Sequence, residues 1–247
     1  MDMKRFYKFF LMIICMAFQM ISLQSCSEDW LQPKSLSSLT LDNMMTDYDS
    51  FSSLLLPCEK NMRGFFIGKM NPMTEQMTMS DVAVAARPDW GGMPVMIDMD
   101  TQLTPQYPGQ NYKENNIFYN QYAWKYYWMG LRFAGALISR LSIAEDNLTQ
   151  EEIDYFKGQG YFHRAWIYYN LVNEFGDVPW MEGEPSQYKT DYYSYDRWSI
   201  LEAIEEEARF AYEHLPETSD RGCVNKWGAA VLYMKILMCH LKWDEAI

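Results

Sequence analysis

Two stretches of the sequence place aromatic side chains beside groups that form hydrogen bonds, a combination that suits contact with a sugar. A pyranose ring has apolar C–H faces that stack on Trp or Tyr, and its hydroxyls pair with polar side chains. The candidates are Arg87, Asp89 and Trp90 in the first stretch, and Tyr107, Asn111 and Tyr112 in the second. These residue types therefore predict a glycan-binding site in the segment that carries them.

Prolines surround both stretches, and they favour stiff loops that reduce the entropy lost when a ligand is bound. A second rank of aromatic candidates lies farther along the chain, at Trp180, Tyr192, Tyr193 and Tyr195. For every one of these residues the alternative is an aromatic ring that packs beneath its own loop.

Signals for catalysis are weak. The chain has no Gly-rich phosphate loop, no Gly-x-Ser-x-Gly and no His-Glu-x-x-His motif. Its histidines fall in predicted helices among apolar or aromatic neighbours, which favours packed or surface side chains, and they are His163, His214 and His240. Glu205, Glu206 and Glu207 supply carboxylates of the kind that cleave glycosides, but consecutive helical residues point in different directions, which favours a solvated face. We therefore predict no enzyme activity, no cofactor and no metal site.

The N-terminus has the pattern of a lipoprotein signal peptide. Three basic residues precede a nearly uninterrupted apolar run from Phe9 to Leu23, which is shorter than the roughly 20 residues of a membrane-spanning helix. The sequence Leu23-Gln24-Ser25-Cys26 resembles the lipobox of bacterial lipoproteins, in which the cysteine becomes the diacylated first residue. We therefore predict a signal peptide over residues 1–25 and lipidation of Cys26. The alternative is an ordinary signal peptide with a cysteine nearby.

The residues after Cys26 predict a tether over residues 26–41. Ser27, Glu28 and Asp29 resemble the acidic signal that exports lipoproteins to the outer face of the outer membrane in some Gram-negative bacteria. The alternative is a simple solvated tether. Two acyl chains on Cys26 would attach the chain firmly to a membrane.

The net charge limits the classes of binding partner, and the cysteine count limits the possible disulfides. The first 25 residues hold three basic residues and one acidic residue, so the remainder carries −14 against −12 for the whole chain. This balance disfavours nucleic acid as a partner. Cys58, Cys223 and Cys239 remain after Cys26, and either all three are free thiols or Cys223 pairs with Cys239.

Apolar periodicity predicts a mostly helical domain over residues 42–247. A first helix over 42–56 ends at Pro57, and residues 57–115 are rich in proline and loops, with one short helix near 75–84. Four longer helices follow, over residues 116–142, 150–174, 197–214 and 224–241. In the first of these four, Tyr126, Met129, Phe133 and Leu137 belong to the predicted apolar stripe.

The four helices form two hairpins, an arrangement that resembles tetratricopeptide packing with long irregular loop insertions. Small residues are expected where the helices approach closely, at Gly158, Gly160, Ala165, Ala229 and Ala230. Thr149 is the predicted N-cap of the helix over 150–174, and Gly176 is expected to end that helix with a positive φ. Asp177 is expected to bond the nearby backbone.

The sequence is similar to the SusD/RagB family of outer-membrane glycan-binding lipoproteins. The motif runs from Gly158 through His163-Arg164-Ala165-Trp166 to Phe175-Gly176-Asp177-Val178-Pro179, and Gly160 and His163 replace the usual Ala and Leu. Further similarity covers the region from Arg197 to Trp243 and Ala246. The similarity is strongest over residues 158–179 and 196–246 and weak over 57–115.

This resemblance implies a surface lipoprotein that binds an oligosaccharide or polysaccharide without cleaving it. Its partner would be a SusC-like TonB-dependent transporter barrel, which it caps like a lid. An alternative is a helical-repeat lipoprotein that binds a protein partner and no sugar.

The family is typically about twice this length, so the resemblance implies a missing C-terminal half. The last predicted helix is apolar over most of its circumference, with Trp227, Val231, Leu232, Met234, Ile236, Leu237 and Met238 among its residues. A helix of this kind expects burial on more than one side. We therefore expect an apolar face of this helix to be exposed in the chain.

Overall fold

The computed structural model describes residues 47–66, 119–143, 147–183, 191–219 and 222–247. These residues lie in one compact unit, Met44–Ile247. Its described helices are α1 (Tyr48–Phe66), α2 (Tyr119–Arg140), α3 (Gln150–Phe175), α4 (Arg197–His214) and α5 (Lys226–Cys239). A 3₁₀ turn, Leu141–Ile143, follows α2, and strands β1 (Val178–Pro179) and β2 (Ser194–Tyr195) pair antiparallel.

Successive helices run antiparallel, and α3 contacts each of the other four. Where α2 begins and α3 ends, Tyr127 donates a hydrogen bond to Glu174 at 2.6 Å. Near the opposite ends of the same two helices, Gly160 lies against Ile138. The fold is therefore mostly α-helical with tetratricopeptide-like hairpins, as the sequence predicts.

Because α3 has neighbours on several sides, its buried residues do not form a single stripe. Phe156 faces α1, whereas Leu171 and Val172 belong to the main core with Ile200 and Ile204 of α4. The central position of α3 therefore explains why it carries small and aromatic residues over most of its surface.

The helix ends follow the chemistry of their capping residues. Thr149 accepts a hydrogen bond from the backbone N–H of Glu152, whose carboxylate accepts one from the N–H of Thr149, which completes a capping box. Gly176 ends α3 with a φ of 75°. Both roles are confirmed. Asp177 differs from its expected role, because it accepts the backbone N–H of Arg197, twenty residues away, at 3.0 Å.

The prediction that the first helix ends at Pro57 is wrong. Helix α1 continues through Pro57 to Phe66. A proline inside a helix costs about 3 kcal/mol through a lost hydrogen bond and a steric clash. Here the buried stripe continues past it, since Phe51, Leu55, Cys58 and Phe65 all pack in the core, and their burial outweighs that cost. Residues 57–66 are thus helical, not loop.

Helix α2 starts and stops near the predicted bounds, but its most buried face is rotated from the predicted stripe. Tyr127, Leu131 and Ala134 are almost fully buried, whereas Tyr126 and Phe133 are only half-buried. Helices pack on two sides of α2, α1 and α3, so its buried face is broader than a single stripe. Leu137 is fully buried, as predicted.

Small residues stand where helices approach closely. A Cβ on Gly160 would lie 2.7 Å from Cγ1 of Ile138, and a Cβ on Gly158 would lie 3.0 Å from Cδ2 of Leu215. Ala165 and Ala229 are fully buried. These positions confirm the predicted role of small residues, and Gly130 of α2 adds one that the sequence analysis did not select.

Helix α5 exposes apolar side chains, as expected. Trp227 and Val231 are each more than half exposed, and Met234 and Met238 are about two-fifths exposed. The opposite side of α5 packs on α4, where Leu232 and Ile236 are buried.

The three described cysteines are free thiols, which settles the alternative left by the sequence. Burial raises the pKa of the Cys58 thiol to about 12, so this group stays protonated and packs as a small apolar side chain.

We predict that Gly130→Ala destabilises the fold. An added Cβ would lie 2.6 Å from Cδ1 of Ile167 and closer still to Oδ1 of Asn61. Overpacking of this kind costs about 1–3 kcal/mol, more than the gain of about 1 kcal/mol in helix propensity. Thermal unfolding followed by circular dichroism measures the difference.

Gly64→Ala is the matched control, because its Cβ would lie at an ordinary 3.4 Å from Tyr126. We expect it to be neutral or stabilising. If Gly130→Ala melts at or above the wild-type temperature, α2 does not approach α1 and α3 as closely as described.

Candidate functional site

The first-rank glycan candidates lie outside the described residues, as does Cys26. They are Arg87, Asp89, Trp90, Tyr107, Asn111 and Tyr112. The chain that carries them leaves α1 after Phe66 and enters α2 at Tyr119. Since α1 and α2 are antiparallel neighbours, both connections lie at the same end of the helical stack. We call this the α1–α2 junction end.

Aromatic side chains concentrate at the α1–α2 junction end. Phe65 stacks on Tyr127 with ring centroids 4.7 Å apart and meets Trp166 edge-on at 5.0 Å. Trp124 meets Phe175 edge-on at 5.0 Å. Phe66 and Trp124 remain about two-fifths exposed. Packed rings from α1, α2 and α3 therefore form a cluster at this end of the stack, which we call the aromatic support.

Two clefts flank α1 near this end. The α1–α2 cleft has a volume of about 730 Å³, and Asn61, Tyr126, Met129 and Phe133 are among its lining residues. Asn61 is buried and donates a hydrogen bond to the Tyr126 carbonyl at 3.1 Å, which fixes the floor of this cleft.

The second cleft, of about 550 Å³, lies between α1, α3 and residues 222–224, and we call it the α1–α3 cleft. Both clefts share the ridge of α1 that carries Leu56, Lys60 and Arg63.

The ring of Trp180 packs against other side chains of the stack. It stacks on Tyr168 with centroids 4.5 Å apart, and the Arg164 guanidinium lies 5.4 Å from its centroid. The hydroxyl of Tyr168 accepts the backbone N–H of Met181 at 2.7 Å. The alternative of a ring packed beneath its own loop therefore describes Trp180.

The tyrosine cluster lies at the surface. Tyr193 is 77% exposed and Tyr195 53%, and Tyr192 is exposed to a smaller extent. Trp198 of α4 is 55% exposed, with the Arg197 guanidinium 5.0 Å from its ring centroid. The structure thus leaves Tyr193 and Tyr195 open to solvent beside β1, whereas Trp180 is partly buried against the core.

Arg164 of α3 and Glu207 of α4 form a buried ion pair. Nε of Arg164 donates to Glu207 at 3.0 Å, and a second bond joins the guanidinium to the same carboxylate. Arg164 also bonds the carbonyl of Glu182. Burial raises the pKa of the Glu207 carboxyl, and the charge of Arg164 opposes that rise.

The prediction of a solvated face at Glu205–Glu207 is wrong for two of the three carboxylates. Glu205 is also buried, and Nδ1 of His240 and Nζ of Lys242 each lie 2.5 Å from its carboxylate. Burial raises the pKa of Glu205, but the bonds to Lys242 and His240 outweigh it and lower the pKa overall. Only Glu206 is exposed, where it pairs with Arg209. These carboxylates are structural, since each buried one is neutralised by a cation.

Among the described residues, no group of three or more His, Cys, Asp or Glu side chains is arranged to hold a metal ion. None of the described helices is both long and apolar enough to span a membrane.

The profile of a family described as starch-binding and associating with the outer membrane matches residues 66–236. The chain belongs to the SusD-like family. No curated protein matches it significantly.

Solved structures confirm the SusD-like fold. A laminarin-binding SusD-like protein is 22% identical, with a TM-score of 0.66, over 81% of this chain and 42% of that one. A SusD superfamily protein from Bacteroides vulgatus is 18% identical, with a TM-score of 0.66 and the same shares of both chains. Surface glycan-binding protein A from Bacteroides uniformis is 16% identical, with a TM-score of 0.58, over 80% of this chain and 44% of that one. The chain thus spans less than half the length of these relatives.

In this SusD-like chain the polar residues of the α1–α3 cleft are not among the predicted site residues. Lys60 and Arg63 were placed in a loop because the helix was ended at Pro57. The signal that could have found them is the apolar spacing of Phe51, Leu55 and Cys58, which continues unchanged past the proline.

His163 gives the fold a specific pH dependence. Burial lowers the pKa of its ring from 6.5 to about 4, so its contribution to stability is complete above pH 6.5 and is lost as the pH falls towards 4. The lost free energy of unfolding is at most about 3 kcal/mol. We predict that His163→Leu reduces the loss of stability between pH 7 and pH 4.5, measured by urea unfolding at each pH.

His214→Gln is the control, because His214 is exposed, and it should keep the wild-type pH profile. Equal profiles for wild type and His163→Leu would contradict a buried neutral His163.

Proposed function

We propose that this chain is a surface-exposed outer-membrane lipoprotein that binds oligosaccharides and delivers them to a SusC-like TonB-dependent transporter without cleaving them. The match of the SusD-like profile over residues 66–236 carries this proposal. The names of two structural neighbours support it, since one binds laminarin and another is a surface glycan-binding protein. The lipobox-like sequence at Cys26 adds the membrane anchor.

The proposed glycan site lies in residues 67–118, with Trp90, Tyr107 and Tyr112 as stacking groups and Arg87, Asp89 and Asn111 as hydrogen-bonding groups. The aromatic support at the α1–α2 junction end favours this assignment. This support is built from packed helices, and rings that are already ordered lose less entropy when a sugar binds to them. The exposed Phe66 and Trp124 at that end extend the aromatic surface available to a sugar chain.

We also propose the domain organisation that this function needs. Residues 1–25 form the signal peptide, residues 26–41 form the tether, and residues 42–247 form the SusD-like N-terminal region. The relatives continue beyond the matched part, since they are more than twice as long as the segment aligned with this chain.

A second candidate function is the binding of a protein partner without any sugar. The exposed face of α5 favours it, because Val231, Met234 and Met238 are aliphatic and thioether side chains. Such side chains pack well on another helix. Affinity electrophoresis through gels that contain single polysaccharides separates the two functions, since only a glycan binder is retarded.

We predict that Trp90→Ala weakens binding to a retarding polysaccharide by on the order of 1–3 kcal/mol, the scale known for aromatic stacking on nucleobases. Isothermal titration calorimetry with an oligosaccharide of that polymer measures the loss. Trp227→Ala is the matched control, because Trp227 is also an exposed tryptophan but lies on α5. Wild-type affinity in Trp90→Ala would remove this residue from the site.

Lipidation of Cys26 is tested separately. We predict that Cys26→Ala moves the protein from the membrane fraction to the soluble fraction and abolishes labelling by radioactive palmitate, because a side chain without a thiol cannot carry the lipid. Cys58→Ala, a change at a buried thiol, should leave both unchanged. An unlabelled wild-type protein would contradict the anchor.

A further inference from the structure

The α1–α3 cleft brings polar and charged side chains of two helices together. Its lining includes Glu59, Lys60, Arg63 and Phe66 of α1 and His163 of α3, with Val224 at its edge. Its volume of about 550 Å³ far exceeds the roughly 30 Å³ that one water molecule occupies. The cleft is therefore large enough for a sugar ring.

Two buried polar atoms belonging to residues of this cleft have no hydrogen-bond partner. They are Oε1 of Glu59 and Nε2 of His163. His163 is only 2% exposed. A buried polar atom without a partner costs about 1–3 kcal/mol, so such atoms are rare in folded proteins. A bound polar ligand would supply the missing partners.

The cleft also carries unpaired positive charge. Among the described residues, neither Lys60 nor Arg63 forms an ion pair with a carboxylate. Arg164, Arg209 and Lys242, by contrast, each pair with a glutamate. Lys60 and Arg63 are three residues apart on α1, so their side chains lie on the same face. With Glu59 beside them, the three side chains have a net charge of +1 in a chain whose net charge is −12.

This combination of two cations and two unpartnered polar atoms favours some classes of ligand over others. A phosphate or sulfate offers negative charge, but it would be repelled by the Glu59 carboxylate and offers at most one or two hydroxyl donors. A neutral sugar offers hydroxyls but leaves both cations without a counter-charge. A uronic acid has one carboxylate for the cations and several hydroxyls, which donate to a carboxylate and pair with either tautomer of a neutral imidazole.

We propose that the α1–α3 cleft binds a uronic acid unit of an acidic oligosaccharide, with its carboxylate at Lys60 and Arg63 and its hydroxyls at Glu59 and His163. The exposed ring of Phe66 at the rim lies against the apolar face of the sugar. This inference rests on the proposed glycan binding and adds the substrate class. The low pKa of His163 agrees with it, since a neutral ring is needed to pair with a hydroxyl.

The test is calorimetric titration with an oligogalacturonide and with a neutral gluco-oligosaccharide of the same length. We expect the wild-type protein to prefer the oligogalacturonide and to lose affinity for it as salt is added. The double variant Lys60→Gln/Arg63→Gln should bind the oligogalacturonide at least about tenfold more weakly, the effect expected when a charge-assisted hydrogen bond is lost. Both side chains are exposed, so the variant should fold.

Lys235→Gln removes an exposed cation of α5 and should leave the affinity unchanged. His163→Leu should weaken binding while it preserves the fold, since Leu fills a similar volume, and a thermal melt checks that it does.

Three results would overturn the inference. Preference for the neutral oligosaccharide would exclude the acidic substrate class while the proposed function stands. Unchanged oligogalacturonide affinity in the Lys60→Gln/Arg63→Gln variant would place the acidic site elsewhere. Binding of no glycan by the wild-type protein would end both the inference and the proposed function.

Discussion

The buried pair of Arg164 and Glu207 is the interaction on which the arrangement of the stack depends. It joins α3, the helix that contacts all others, to α4. The same guanidinium bonds the carbonyl of Glu182 and lies between the rings of Tyr161 and Trp180. Removal of one partner would leave a buried charge without compensation, which costs about 3–5 kcal/mol. The pair thus fixes the position of α4 and of the segment after β1 relative to α3.

Helix α3 also holds the α1–α2 junction end in place. The first half of α3 packs on α1 through Phe156, and its second half packs on α2 through Tyr127 and Glu174. The aromatic rings at this end are therefore held by a helix whose own position is set by an ion pair. A rigid scaffold that carries its binding residues on a connecting segment is a common arrangement in binding proteins.

Much of the fold was predictable because its determinants are local. The cap at Thr149, the end at Gly176 and the end of α4 before Pro216 each depend on neighbouring residues. The continuation of α1 past Pro57 was not predictable in that way, because core packing against α2 and α3 offsets a local penalty. The buried state of Glu205 and Glu207 was missed for the same reason, since their partners lie 35 to 43 residues away. The loop candidates around Trp90 came from residue type alone, whereas the α1–α3 cleft needs three segments that are distant in sequence.

The central claim is that a stable helical stack presents a glycan site at the α1–α2 junction end. Hydrogen–deuterium exchange with and without a saturating oligosaccharide tests it most directly. We expect the ligand to slow exchange in residues 67–118 and in the second half of α1, while exchange where α3 contacts α4 and on the exposed face of α5 is unchanged. Protection confined to α5, or no protection anywhere with a ligand proven to bind, would contradict it.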